Sequence, residues 1–323
     1  MPKILHTARY TGLPLAILQN VCPENFTVKT LDEATYEQLV KEAVDADYFL
    51  VSGRLPIDHS VLDNAPHLKM IQRTGVGIEM LDTEAIVQRG IPVYVNVGIN
   101  AQSVAEHTLT LMLACLKRLP QVNEQAHKGI WKKQLTGVTT RELYGKTVAL
   151  VGMGNIGRLV AQMLQPFGAK VIYTDVIRHA EEVETRLNMT YYGCFEAMLP
   201  VADILSFHCP LTSENAEMLN RESLALMKKS AVVVNTARGK LINPDDLYEA
   251  LKSGHIWAAA LDTHYEEPIN DGYKLAELEN VILTPHIGGL SYEAFESMMV
   301  GAMENIEAFE EGKWSEIEGK RIL

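Results

Sequence analysis

The sequence predicts an α/β protein of two doubly wound parallel-sheet domains, and three observations carry that expectation. Short apolar runs alternate with longer amphipathic stretches along most of the chain, the pattern of repeated βαβ units. The runs are rich in Val, Ile, Leu and Ala with little alternation, as strands buried on both faces of a parallel sheet require. At 323 residues the chain suits about two domains of ordinary size.

In the first part, the expected strands are Lys3–Thr7, Phe26–Thr30, Tyr48–Val51, Lys69–Arg73 and Pro92–Val95, with Thr35–Ala46 and Asp82–Arg89 among the intervening helices. The second part offers Thr147–Val151, Lys170–Thr174, Asp203–His208, Ala231–Asn235, Ala258–Leu261 and Val281–Thr284. One long helix, Ser103 to about His127, is expected between them. A last helix, roughly Ser291–Glu311, is expected to return to the first domain.

Composition narrows the function. Hydrophobic residues make up 47% and charged residues 22%, the proportions of a globular protein. The net charge of -12, with no basic run longer than two lysines, argues against a nucleic-acid partner. Cys22, Cys115, Cys194 and Cys209 show no CxxC spacing and read as reduced thiols of a cytoplasmic protein; no metal site is expected. The start Met1-Pro2-Lys3 lacks the apolar core of a signal peptide. The longest helical apolar stretch, Leu109–Leu116, is far short of the roughly 20 residues that span a bilayer, so no membrane is expected.

The strongest local signal follows Thr147–Val151. Gly152-Met153-Gly154-Asn155-Ile156-Gly157 stands between that strand and a helical segment, Arg158–Phe167, and a second strand then ends at Asp175. A lone GxGxxG is weak, but here it has its required setting of strand, turn, helix and strand. Gly152 permits the turn, Gly154 lets backbone approach a pyrophosphate, and Gly157 allows close packing of helix on strand; the phosphates would meet the exposed amides of the helix. Asp175, 18 residues after Gly157, suits the acid that accepts ribose hydroxyls and repels a 2′-phosphate, which favours NAD over NADP. Arg178 reads as a solvated surface arginine.

Ligands of an open parallel sheet bind past the carboxyl ends of its strands. Ala231–Asn235 leads into Thr236-Ala237-Arg238-Gly239, Ala258–Leu261 into Asp262 and Glu266-Glu267-Pro268, and Val281–Thr284 into Pro285-His286-Ile287-Gly288-Gly289. An arginine, a carboxylate and a histidine at three successive strand ends suit hydride transfer to a carbonyl. The histidine exchanges a proton with the carbonyl oxygen, the carboxylate orients and charges the imidazole, and the arginine fork grips a substrate carboxylate. Spacing alone leaves His208 equal to His286 and Glu266 equal to Glu267. It also leaves Asp262 as orienter, cofactor contact or cap.

Taken together, Arg73-Thr74-Gly75-Val76-Gly77, Asn100 with Ser103–Thr108, Gly152–Gly157, His208–Thr212, Asn235–Gly239, Glu267-Pro268 and Thr284–Gly288 occur in order along nearly the whole chain. In this the sequence resembles the D-isomer-specific 2-hydroxyacid dehydrogenases, the phosphoglycerate dehydrogenase branch among them. The resemblance implies that Arg238, Glu267 and His286 are catalytic. It places Asn155 and Ile156 at the pyrophosphate, Asp175 at the ribose, Cys209 and Pro210 beside the adenosine, and Thr236 and Asp262 near the nicotinamide. Ala237 and Gly288 are counted with the cofactor contacts, while His208 becomes a strand-end residue beside the adenine pocket. Gly75, Val76 and Gly77 match the loop that holds the substrate carboxylate. A flavodoxin-like substrate domain, residues 1–98 plus 291–323, and a Rossmann-type NAD domain, residues 99–290, are implied, with a homodimer built around the helix after Ser103.

The chain ends about 35 residues after His286, short of the regulatory domain that many phosphoglycerate dehydrogenases carry, so control by serine is not expected. A small anionic 2-hydroxy or 2-oxo acid is the expected substrate. Arg54, just past Tyr48–Val51, and Arg73, Lys132 and Lys133 raise the case of 3-phosphoglycerate; ordinary surface cations are an equal reading. Two other functions stay open: a nucleotide-sensing, corepressor-like binding protein of this fold, and a formate- or phosphite-type dehydrogenase.

Overall fold

A computed structural model describes residues 1–53 and 55–323. Its chain divides into two compact units, residues 1–100 with 292–323 and residues 101–291.

In the first unit, β1 (Lys3–His6), β2 (Thr27–Thr30), β3 (Tyr48–Val51), β4 (Met70–Arg73) and β5 (Val93–Tyr94) form a parallel sheet in the order β2-β1-β3-β4-β5. This is the flavodoxin-like order, with its topological switch between β1 and β3. Successive side chains of a strand point to opposite faces, so each strand serves two cores. Leu5, Phe49, Val51 and Ile71 pack with Leu39, Val61 and Ile86 on one side. On the other, Ile4, Tyr48, Leu50 and Met70 pack with Leu18, Met299, Met303 and Ile306. Those last three lie on the helix Tyr292–Glu310, so the C-terminal segment supplies one wall of the N-terminal core.

The second unit carries β6 (Thr147–Val151), β7 (Lys170–Thr174), β8 (Met189–Tyr191), β9 (Ile204–Phe207), β10 (Val232–Asn235), β11 (Ala258–Leu261) and β12 (Val281–Leu283). All pair in parallel, in the order β12-β11-β10-β9-β6-β7-β8. This is the Rossmann order, extended by one strand beyond β11, and it reverses at β6. Val148, Leu150, Val232 and Val234 face the helices Ala101–Lys117 and Asn155–Leu164. Ala149, Val151, Leu205 and Val233 face the opposite core, with Leu224 and Leu247.

Two local expectations need correction. The helix drawn from Ser103 to His127 is two helices, Ala101–Lys117 and Leu119–His127, parted at Arg118 in a left-handed conformation with φ 50°. Pro120 explains the break: its ring would collide with the carbonyl one turn back, and it is tolerated only in the first turn of a new helix. The short edge strand β8 was not anticipated, because three residues are too few to show a pattern. Among the described residues, no helix is long and apolar enough to cross a membrane.

Candidate active site

The glycine turn lies where the second sheet reverses, immediately after β6. Gly152 has φ +96°, and a Cβ there would stand 2.7 Å from the amide nitrogen of Cys209, past the end of β9. A Cβ on Gly157 would run into the carbonyl of Gly152. Two strand ends and one helix therefore converge at a spacing that only glycine allows. Gly154 differs: open space surrounds its Cβ position, and it caps the helix Asn155–Leu164 with no side-chain hydrogen bond. An uncapped, unobstructed helix start beside a tight turn is what a diphosphate needs, so the residues fit a dinucleotide. Asn155 accepts from Arg158 at 3.0 Å, and Ile156 occupies the first turn.

Asp175, just past β7, accepts from the Met153 amide at 2.6 Å, which ties the acid to the glycine turn. Val176 and Ile177 beside it are exposed. Arg178 is an exposed arginine, as expected from sequence, and it has an ion-pair partner. It grips Glu184 at 2.9 and 2.8 Å, and that pairing, aided by Tyr173, holds the Glu184 carboxyl below the usual range. On the β9 side, burial pushes the Cys209 thiol up to about 11, so it is a packing group and no nucleophile. The carbonyl of Pro210 accepts from Asn215 at 2.8 Å. His208 bonds Ser206 at 3.0 Å, its Nδ1 is shut away without a partner, and burial pushes its pKa down to about 3. A neutral, enclosed imidazole is a poor proton donor.

The loop after β10 is set by Asn235, wholly buried, which accepts from the Ala237 amide at 3.0 Å and donates to the Arg238 carbonyl at 2.8 Å. Thr236 meets Thr108 at 2.8 Å. A Cβ on Gly239 would strike the backbone of His264, so this loop lies hard against the loop after β11. Arg238 emerges from it, half-buried, with Nη1 on the Ala237 carbonyl at 2.8 Å.

The loops after β11 and β12 meet through side chains. His286 Nδ1 and Glu267 Oε2 lie 2.8 Å apart, and Glu267 Oε1 accepts from the His264 amide at 2.7 Å. Geometry thus selects Glu267 over Glu266 as the partner of His286. His264 in turn bonds the Thr284 carbonyl at 2.9 Å. Asp262, 1% exposed, accepts from Thr284 Oγ1 and from the amides of Ile287 and Gly288 at 2.9 and 2.8 Å, while His107 Nε2 lies 3.4 Å away. Burial alone would raise its pKa; the bonds from His107, Thr284, Ile287 and Gly288 outweigh that and hold it at about 2. The Asp262 carboxylate is taken up by the chain's own donors, and Gly288 spends its amide on Asp262 and its carbonyl on Ser103.

In the first unit, Arg73 is committed to its own loop: Nε donates to the Gly77 carbonyl at 2.6 Å and Nη1 to Val51 at 3.2 Å, fixing the path of Gly75, Val76 and Gly77. Arg54 lies outside the described residues. Among those described, no cluster of His, Cys, Asp or Glu is set to hold a metal ion.

His107, Asn235, His264 and Thr284 escaped the sequence reading as site residues. His107, Asn235 and Thr284 sat in recognised motifs without a role assigned to them, and His264 sat in none; Asn235 fixes its own loop, while Thr284 and His264 bond groups distant in sequence.

Residues 109–288 match the family described as D-isomer specific 2-hydroxyacid dehydrogenase, NAD binding domain. A D-3-phosphoglycerate dehydrogenase of Methanocaldococcus jannaschii is 38% identical over 98% of this chain, which spans 59% of that relative's length. A glyoxylate reductase of Aeropyrum pernix is 37% identical over 86% of the chain and 84% of the relative. Among solved structures, the TT0316 protein of Thermus thermophilus superposes with a TM-score of 0.85 at 34% identity, over 96% of this chain and 97% of that one.

Proposed function

The chain belongs to the D-isomer specific 2-hydroxyacid dehydrogenase family, and from that premise we propose that it is an NAD-dependent oxidoreductase interconverting a small D-2-hydroxy acid and its 2-oxo acid. The observation that carries the proposal is the 2.8 Å pairing of Glu267 with His286, in the same unit as the glycine turn and Asp175.

Bound NAD supplies the hydride in one direction and accepts it in the other. His286 does the proton work: Nδ1 is held by Glu267, so Nε2 meets the substrate, giving its proton to the carbonyl oxygen in reduction and taking it from the hydroxyl in oxidation. Glu267 fixes the ring and offsets the charge that the imidazole carries. Arg238 binds the substrate carboxylate through its guanidinium fork and draws electron density from the adjacent carbonyl. In the first unit, Gly75, Val76 and Gly77 are the candidates to offer backbone amides to a substrate carboxylate, and Arg54 is the candidate for a further anionic group. In this reading Thr236 and Asp262 lie near the nicotinamide, with Ala237 and Gly288 as further cofactor contacts, while Cys209 and Pro210 border the adenosine and Asp175 takes the ribose.

The protein is proposed to act in the cytoplasm as a homodimer. Leu119, Trp131, Leu135, Val138 and Tyr144, all well exposed, cluster in the sequence after the long helix and support an apolar contact with a second copy. The experiment that tests the function is a panel of glyoxylate, hydroxypyruvate, 3-phosphohydroxypyruvate and apolar 2-oxo acids with NADH. Turnover of at least one is expected. NADH binding with no turnover on any would overturn the enzyme reading, and turnover of formate with NAD instead would change the substrate class.

A further inference from the structure

His286 is a non-glycine residue at φ 57°, in the left-handed region. Such a conformation is costly for a side chain with a Cβ and persists only where the surroundings over-determine it. What over-determines it here is a single buried carboxylate. Asp262 receives the two amides that follow His286, from Ile287 and Gly288, and the hydroxyl of Thr284, two residues before it. The turn is therefore pinned on both sides of the strained residue and to one point.

The hydrogen positions follow from the donors. Thr284 Oγ1 spends its only proton on Asp262, so at its 3.1 Å contact with His107 Nε2 the hydroxyl accepts. His107 is then the donor at Nε2, directed at both Thr284 Oγ1 and Asp262 Oδ1. The fit leaves no slack: a Cβ on Gly288 would lie 2.9 Å from Asp262 Oδ2 and 3.3 Å from His107 Cδ2. A buried carboxylate is an expensive staple where neutral side chains would serve, and it is stable only with its donors in place.

We propose that His107 and Asp262 form a positioning pair, built into the second unit, that holds the left-handed turn at His286 and so aims its imidazole at Glu267 on one side and at substrate on the other. Two imidazole–carboxylate pairs then share one turn. The exposed one, His286–Glu267, moves the proton; the enclosed one, His107–Asp262, sets the direction in which it moves. This rests on the dehydrogenase reading above for its kinetic consequences, though not for its geometry.

The test combines a double-mutant cycle with a readout that needs no turnover. His107→Phe removes the donor and His107→Gln keeps an N–H near the position of Nε2. His107→Phe is expected to lower kcat roughly 10- to 100-fold, the usual worth of a small misplacement, with KM for NADH within about twofold. His107→Gln is expected to restore more than half of the activity. In a His286→Ala background, His107→Phe should bring no further loss, since it acts through the missing ring. Nitrogen-15 spectra of the histidine rings in the free protein should show the His286 Nδ1–Glu267 hydrogen bond weakened in His107→Phe and kept in His107→Gln. Equal kcat losses in both backgrounds, or an unmoved His286 ring signal, would overturn the proposal. If the wild type turns over no 2-oxo acid, the dehydrogenase reading falls, and the ring spectra still decide the positioning role. Asp262→Asn sets an N–H against the amides it must accept and should shift the same signal further; a failure of that variant to fold leaves the His107 pair to decide.

Discussion

Glu267 holds His286 by one ring nitrogen, Nδ1 to Oε2 at 2.8 Å, and is itself held by the amide of His264 at 2.7 Å. Neither carboxylate oxygen is idle, so Glu267 is a fixed anchor and the imidazole has one defined direction.

His286→Ala is therefore expected to cut kcat by roughly 10²–10⁴, the contribution of a positioned proton donor, while NADH binds nearly as before. Steady-state kinetics on the best substrate of the panel checks this. A variant with more than half the wild-type rate would remove His286 from the proton-transfer role. His208, neutral and enclosed, offers no ready substitute.

Asp175 is expected to set cofactor choice. Asp175→Ala removes both the acceptor for ribose hydroxyls and the repulsion of a 2′-phosphate, so the preference for NAD over NADP should narrow. Arg178 is tied to Glu184 at 2.9 and 2.8 Å, and the single substitution leaves it there. Adding Glu184→Ala releases the guanidinium and should narrow the preference further, by improving KM for NADPH. A wild type that already favours NADPH would refute the ribose role of Asp175.

How much of this was legible in the sequence depends on what each feature answers to. Thr147–Val151 and Gly152–Gly157 were readable because strand burial and glycine sterics are local properties, and both expectations hold in β6 and the turn behind it. The break at Arg118 was also written locally, in Pro120, though the apolar periodicity on either side of it masks the signal. The choice of Glu267 over Glu266 was not local: adjacent carboxylates differ only in which one the loop turns toward His286. Asn235 works through the backbone of its own loop and His264 through its own amide and the Thr284 carbonyl of the next loop, bonds that no side-chain pattern reports. Arg178 is the exposed arginine that the sequence suggested, and only its pairing with Glu184 was not legible there.

Gly239→Ala is expected to cost both stability and rate. The added Cβ would collide with the backbone of His264 and Tyr265, not with the end of a side chain that could swing aside. Overpacking of this kind costs about 1–3 kcal/mol. Because His264 holds Glu267 and Arg238 precedes Gly239, the displacement should also lower kcat on the preferred substrate. Urea midpoints and kcat measured side by side check both effects, and a variant as stable and active as the wild type would show that the two loops can part freely.

The last expectation concerns acid. Burial pushes His6 down to about 4 and His208 down to about 3, so both stay neutral in the fold while the unfolded chain takes up protons near pH 6.5. Below that point the unfolded state binds more protons than the native one, and stability falls as pH drops from about 6.5 toward 4. Each imidazole contributes a slope of up to about 1.4 kcal/mol per pH unit in that window. Asp262 acts elsewhere: its carboxyl sits at about 2, so the stability it contributes is lost only as pH falls from its ordinary value of 3.8 toward that point. The two windows are separable by measuring urea midpoints from pH 7 to 4.5. His208→Gln carries no titrating ring and should flatten the slope by about half, and His6→Gln should remove a comparable part. His6 is enclosed by Ser52, Thr30 and Tyr10, so its variant is expected to start from a lower stability; the slope is the quantity to compare. Slopes unchanged from wild type in both variants would show that other groups take up the protons.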